Sequence, residues 1–207
     1  MKKITTLLTV SALGALSLVS NNAMAEEQSP WLVRVRAVHI DPADKSDPVG
    51  GTGASDRLTV SSKTIPEVDF SYFFTPNIAA ELILTYPQKH DVYLDGAKIG
   101  TFKHLPPTLT AQYHFSPELS FDPYLGAGIN YTRISGVNLL GGSAGLESHS
   151  VGLAVQAGVD YKFDKNWRIN FDVKKLQLRS DVSINGSKVS QVKVDPWLIG
   201  LGVGYRF

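Results

Sequence analysis

The stretch that most narrows the possible folds is the last, Val192 to Phe207, which reads V-K-V-D-P-W-L-I-G-L-G-V-G-Y-R-F. From Trp197 the alternate residues Trp197, Ile199, Leu201, Val203, Tyr205 and Phe207 are apolar or aromatic. Those between them are Leu198, Gly200, Gly202, Gly204 and Arg206. A period of two marks a β-strand. Eleven residues with a greasy face bounded by aromatics match a tilted membrane-spanning strand. A soluble sandwich strand sets its large side chains opposite solvated Lys, Thr and Ser. Here the other face is mostly glycine, which suits the crowded interior of a narrow barrel. The terminal aromatic Phe207 is the ending expected of a strand presented to the barrel-assembly machinery of an outer membrane.

The start of the chain reads as an export signal. Lys2 and Lys3 precede an apolar run from Ile4 to Val19, and Ala23-Met24-Ala25 offers a cleavage site after Ala25. Residues 1–25 are thus expected to be removed, leaving a single barrel over residues 26–207. Of 20 Lys and Arg, the signal carries Lys2 and Lys3, so 18 remain against 19 Asp and Glu. That balance recommends no nucleic-acid partner. With no cysteine, there are neither disulfides nor a thiolate metal site. No run of 18 apolar residues suggests a membrane helix, but alternating strands escape a hydropathy window.

Seven further strands can be laid out on the same alternation. They run from Trp31 to Asp41, Ile65 to Phe74, Ile78 to Tyr86, Thr108 to Phe115, Pro123 to about Ile134, Ser150 to Phe163, and Trp167 to about Ile184. The last strand can begin as early as Lys188. Thr75-Pro76-Asn77, Ser116 to Asp122 and Asp164-Lys165-Asn166 read as short turns. Asp95-Gly96 and Asn185-Gly186 are hairpin signals inside two of the long connections. A polar, Gly-rich loop from Pro42 to about Ser62 and a Gly-Ser-rich loop ending at His149 form the other two. The connections alternate long and short, as periplasmic turns and extracellular loops do in an outer-membrane barrel. Every backbone group in lipid needs an internal partner, so the strands must close on themselves. The fold expected is all-β: an eight-stranded antiparallel transmembrane barrel.

Several of these stretches resemble the OmpW family of outer-membrane proteins: H-L-P-P-T at His104 to Thr108, P-Y-L-G-A-G-I-N-Y-T at Pro123 to Thr132, D-P-W at Asp195 to Trp197, and the terminal G-Y-R-F. The resemblance spans the mature chain. It implies an eight-stranded barrel that lets small hydrophobic molecules cross the outer membrane, while loops and lumen-lining residues carry over weakly.

The inward faces can be read without any family. Near the periplasmic ends they carry Arg34, Arg36, Glu67, Asp69, Glu81, Asp160, Arg168, Asp172 and Arg206. Toward the extracellular ends they become Val38, Ile40, Ile65, Ile83, Leu176, Leu178, Val194 and Leu198. The expectation is an apolar funnel above a plug of mixed charges, whose pairing avoids the cost of isolated buried ions. An apolar molecule gains roughly 0.8 kcal/mol per buried methylene in the funnel and would lose it in the plug. Its remaining way out is sideways. Proline cannot donate to a ladder, so Pro87, at the end of the third strand, and Pro106-Pro107, before the fourth, mark the expected lateral opening.

The function expected is passive uptake of small hydrophobic molecules with release into outer-membrane lipid, using no cofactor. A structural or adhesive barrel that binds extracellular ligands through its loops is the alternative. A lipid-modifying enzyme would need a nucleophile and base together at the upper rim. His39, His90, His104, His114 and His149 form no such grouping by spacing, so an enzyme is not expected. His90 and His104 flank one loop, but two histidines without a third ligand are a weak metal signal.

Overall fold

The structure, a computed structural model, describes residues 28–207. The expected signal and its cleavage site at Ala25 lie outside the described residues. Fifteen strands occur in chain order: β1 (Trp31–Asp41), β2 (Lys45–Ser46), β3 (Leu58–Val60), β4 (Lys63–Phe73), β5 (Ile78–Leu84), β6 (Gln88–Leu94), β7 (Ala97–Leu105), β8 (Thr108–His114), β9 (Phe121–Leu139), β10 (Ala144–Leu146), β11 (His149–Lys162), β12 (Trp167–Leu176), β13 (Arg179–Ile184), β14 (Ser187–Lys193) and β15 (Trp197–Arg206).

Eight of them form the wall: β1, β4, β5, β8, β9, β11, β12 and β15 pair antiparallel in turn, and β1 closes the cylinder by pairing with β15 from Leu32↔Arg206 to Asp41↔Trp197. Closure gives every wall strand a hydrogen-bonded neighbour on both sides. The remaining strands extend the sheet above the wall, where the β6–β7 and β13–β14 hairpins pair with β9 and β10.

The alternation predicted for the wall is visible as burial. On β15, Trp197, Ile199, Leu201 and Val203 are exposed to the lipid side while Leu198, Gly200 and Arg206 are buried. At the periplasmic end outward aromatics touch edge to face: Trp31–Tyr72 and Trp167–Tyr205 have ring centroids 5.0 Å apart, Tyr113–Phe115 5.1 Å. At the other end Lys175 lies 4.9 Å over the Trp197 ring. These two belts bound the apolar band as interfacial girdles do.

The wall differs from the expected boundaries in two instructive places. The seventh strand does not run unbroken to Ile184; it stops at Leu176 and resumes as β13 at Arg179. Opposite the break, β15 begins only at Trp197, because Pro196 has no N–H and Asp195 has φ +27°. The residues from Ser187 onward therefore belong to a separate hairpin strand, β14. The fifth strand is longer than expected, β9 running from Phe121 through Ile134 to Leu139, where it supports β7. The two loops expected to be irregular hold short strands, β2 and β3 in one and β10 in the other.

Candidate functional site

The barrel interior divides into three levels. The lowest is an ion-pair network built on β1. Arg34 donates to Asp160 through Nη2 (2.7 Å) and Nε (3.2 Å), to Ser71 (2.8 Å), and lies 3.3–3.4 Å from Glu81 and Asp69. Arg36, two residues on and on the same face, donates to Glu67 (3.1 Å), Glu81 (2.9 Å) and Asn170 (2.7 Å). Arg168 approaches Asp160 at 3.5 Å, and Asp172 accepts from the Tyr124 hydroxyl at 2.8 Å. The side chains of Arg34, Arg36, Asp69, Glu81, Asp160 and Asp172 are 0% exposed, so bulk solvent does not reach them.

Eight of the nine residues expected in the plug thus meet in one network. Arg206 does not: its guanidinium lies 4.1 Å over the Phe73 ring and donates to the Ser29 carbonyl, with no carboxylate within ion-pair distance among the described residues. It caps the floor, where His114 and Lys162 hold Asp122 at 3.0 and 3.5 Å. Lys174, Tyr124, Gln112 and Gln156, which the sequence reading did not single out, lie on the same inward phase and complete the network. Lys174 joins Glu67 (2.8 Å) to Asp172 (2.9 Å), and Gln112 and Gln156 both donate to Glu81 Oε2. Glycines make the room: a Cβ at Gly158 would sit 2.4 Å from the Tyr124 ring, and one at Gly204 3.0 Å from both Arg34 and Arg168.

Above the network lies an inner apolar chamber lined by Ile40, Ile65, Ile83, Leu176, Leu178 and Leu198, floored by Glu67 and Lys174. Val38 packs beneath Ile40 in the same buried cluster. Higher still, the extracellular strands enclose an outer chamber with no polar lining surface, formed by Leu58, Val60, Val92, Phe102, Leu139 and Val182 among others. Leu178 lines both chambers, and Val194 belongs to the outer one. Both chambers are nearly filled by their own side chains, leaving cavities of about 50 Å³ in the outer and about 20 Å³ in the inner. The eight expected funnel residues are therefore split between two levels. The outer chamber was missed because its residues sit on loop hairpins; the alternation of Val92 and Leu94 around Asp95-Gly96 was the available signal.

The inner chamber reaches the wall where the β5–β8 ladder ends. Pairing stops at Ile83↔Thr108 and resumes above at Gln88↔His104. Between these rungs, residues 84–87 and 105–107 face each other, with no hydrogen bond crossing the gap among the described residues. Thr85 and Pro106 of its frame line the chamber, while Tyr86 and Pro87 are exposed outside. Asn130 donates to the carbonyls of Pro106 and Pro107 (3.3 Å each), so these acceptors need no partner across the gap. The other proline break is sealed: Leu176 N donates to Pro196 O (3.2 Å), Val194 N to Leu178 O (2.9 Å), and Leu178 N to Asp195 Oδ1 (2.8 Å). Among the described residues this gap of the wall is thus unbonded, bordered by Pro87, Pro106 and Pro107.

Of the histidines, His39 is exposed beside Thr64 and His149 is exposed near Tyr131. His90 and His104 stack at 4.8 Å, and no group of three or more metal-ligating side chains occurs among the described residues.

The comparisons agree with this architecture. The model of the OmpW family matches residues 27–207. An outer-membrane protein of Sinorhizobium fredii, y4mB, is 45% identical over 195 residues, covering 91% of this chain and 84% of that protein. The dibenzothiophene metabolism operon protein PahQ of Pseudomonas aeruginosa is 28% identical, covering 87% of this chain and 90% of its own. The crystal structure of the outer membrane protein OprG from Pseudomonas aeruginosa superposes with a TM-score of 0.77 at 30% identity, covering 87% of this chain and 97% of that one. A family match across the whole described chain, on a closed eight-stranded wall with two aromatic girdles, makes this protein an outer-membrane β-barrel of the OmpW family.

Proposed function

We propose that the barrel is a passive channel for small hydrophobic molecules, which enter the outer chamber, pass Leu178 to the inner chamber, and leave sideways into the bilayer. The observation that carries this reading is the unbonded stretch of wall between residues 84–87 and 105–107, onto which the inner chamber abuts. A molecule in that chamber has apolar side chains around it and a charged floor beneath. Continuing downward would cost its burial gain, roughly 0.8 kcal/mol per methylene, and would break ion pairs that cannot be left unpaired in a dry interior. The gap offers lipid instead, at no electrostatic cost. In this reading Arg34, Arg36, Glu67, Asp69, Glu81, Asp160, Arg168 and Asp172 form the plug, and Pro87, Pro106 and Pro107 keep the exit free of ladder bonds. The name of the relative PahQ supports an apolar permeant. No step requires a cofactor or an energy source, since the gradient of the permeant drives the flux.

The test is uptake of an apolar compound by cells with and without the protein, alongside the Pro87→Ala variant. Expression is expected to speed uptake. Pro87→Ala, which restores an N–H at the gap, is expected to slow it. Parent-like uptake by properly inserted Pro87→Ala would refute the lateral exit. A steady ionic conductance through the purified barrel in a planar bilayer would favour a water-filled pore for polar solutes.

A further inference from the structure

At the upper edge of the lateral gap three buried polar side chains each leave a hydrogen-bonding atom unused. Gln88 and His104 are cross-strand partners on β6 and β7, and His90 stacks on His104 with the rings 14° from parallel. All three are at most 3% exposed. Gln88 Oε1, His90 Nε2 and His104 Nδ1 have no hydrogen-bond partner among the described residues. Two such atoms on one rung, with a third on His90 stacked against His104, stand beside Pro106 and Pro107 carbonyls that Asn130 satisfies, and they offer a ligand hydrogen-bonding sites.

Their chemistry is fixed by what their other atoms do. Gln88 Nε2 donates to the Tyr86 carbonyl (2.8 Å) and to Thr85 Oγ1 (3.3 Å), and Thr85 in turn donates to the Pro66 carbonyl. The amide orientation is therefore set, and Oε1 is a free acceptor. His90 Nδ1 lies 2.7 Å from the Ser61 carbonyl, which only accepts, so Nδ1 carries the proton and Nε2 keeps a bare lone pair. Burial lowers the pKa of both rings, that of His104 to about 3, so both are neutral. Neutral His104, with no bond to either ring nitrogen, offers one N–H and one lone pair. His104 also lines the inner chamber, and Phe102, 6.0 Å from His90, lines the outer one. His104 thus stands at the inner chamber beside the gap, with Gln88 as its cross-strand partner and His90 stacked on it.

We propose that Gln88, His90 and His104 form a recognition site for small apolar molecules that carry one hydroxyl group, aliphatic alcohols or phenols. A hydroxyl can donate to a bare acceptor and accept from the His104 N–H at once. An ether or ketone only accepts. A carboxylate would set its charge against the free lone pairs of His90 and Gln88, even with the Lys63 charge acting on both rings. A hydrocarbon leaves the three atoms unpaired. The site selects among molecules that the apolar chambers admit, and it rests on the permeation reading above.

The experiment uses the whole barrel in lipid nanodiscs with ¹⁵N-labelled histidine, titrated with 1-octanol, octane and octanoate. Contacts between bound ligand and the Ile83 and Leu176 methyls report chamber occupancy. The ¹⁵N resonance of the unprotonated His90 Nε2 reports recognition. The expected result is that octane and octanol both contact the methyls, and only octanol moves the Nε2 resonance toward its hydrogen-bonded position. His90→Phe, and separately Gln88→Leu, should lower octanol affinity about tenfold and leave octane unchanged. Octanol in the chamber without a change at Nε2, as when resident water already fills the site, overturns the recognition site alone. No methyl contact from any ligand overturns the permeation reading instead.

Discussion

Replacing Arg34 with methionine tests whether the ion network is the dry, mutually dependent structure its geometry implies. Arg34 is 0% exposed and serves Asp160 through two nitrogens at 2.7 and 3.2 Å, Ser71 at 2.8 Å, and Asp69 and Glu81 at 3.3–3.4 Å. After Arg34→Met, Asp69 and Glu81 keep Arg36, at 3.3 and 2.9 Å. Asp160 keeps only Asn170 Nδ2 at 2.8 Å and Arg168 at 3.5 Å. Breaking one side of a buried ion pair costs about 3–5 kcal/mol, because the remaining charge stays buried. Arg34→Met should destabilise the barrel by that amount, measured by urea unfolding in lipid vesicles. Adding Asp160→Asn removes the stranded charge, and the double variant should recover at least about 1 kcal/mol of the loss, a coupling expected of direct partners. A cost under about 1 kcal/mol, the value of a solvated surface pair, together with additive effects, would refute a dry plug.

Three further outcomes follow from particular residues. An added methyl at Gly158 would lie 2.4 Å from Tyr124 and 2.8 Å from the Phe171 carbonyl, so Gly158→Ala should displace Tyr124 from Asp172 and cost about 1–3 kcal/mol in the same unfolding assay. His104 is held near pKa 3 by burial, with His90 and Lys63 adding to the effect, against about 6.5 when unfolded. Between those values the unfolded ring binds the proton the folded one refuses, so stability of the β6–β7 hairpin is full above pH ~6.5 and falls toward pH 3. Hydrogen exchange of β6 and β7 amides, corrected for intrinsic rate, should be faster at pH 4 than at pH 7, and His104→Leu should flatten that difference. Leu176→Asn places a polar group in the inner chamber and should weaken binding of an apolar probe several-fold, read by displacement in nanodiscs, while leaving the girdle aromatics undisturbed.

Much of this architecture was legible from alternation alone, and the reason is physical. In lipid the outward face must be apolar while the inward face is free to be small, polar or charged, so the outward residues from Trp197 to Phe207 declare the membrane at every second step. The same constraint placed Arg34, Arg36, Glu67 and Asp69 inside. It could not reveal which of them touch, because contacts across the lumen depend on the stagger between strands that are far apart in sequence. Arg206 kept its inward phase yet sits one rung too low to join the network. Above the membrane the constraint relaxes. Leu58, Val60 and Val92 face each other only because β3 pairs with β6, a pairing that no local pattern specifies. The break after Leu176 was hidden because β12 and β13 share one phase, and its cause lies opposite, at Asp195-Pro196. Pro87 and Pro106-Pro107 were readable as ladder breakers. That Asn130 satisfies the carbonyls beside the gap required the structure.

The lateral exit is most directly tested by bridging the gap itself. The chain has no cysteine, so Thr85→Cys with Thr108→Cys gives a unique pair, one at each side of the unbonded stretch, both lining the inner chamber, with all three prolines left in place. Uptake of an apolar compound by cells is measured before and after joining them with a flexible, reducible thiol cross-linker, and again after reduction. The account predicts that uptake falls to the level of cells lacking the protein and returns when the bridge is cut. Unchanged uptake with the cross-link complete would contradict it.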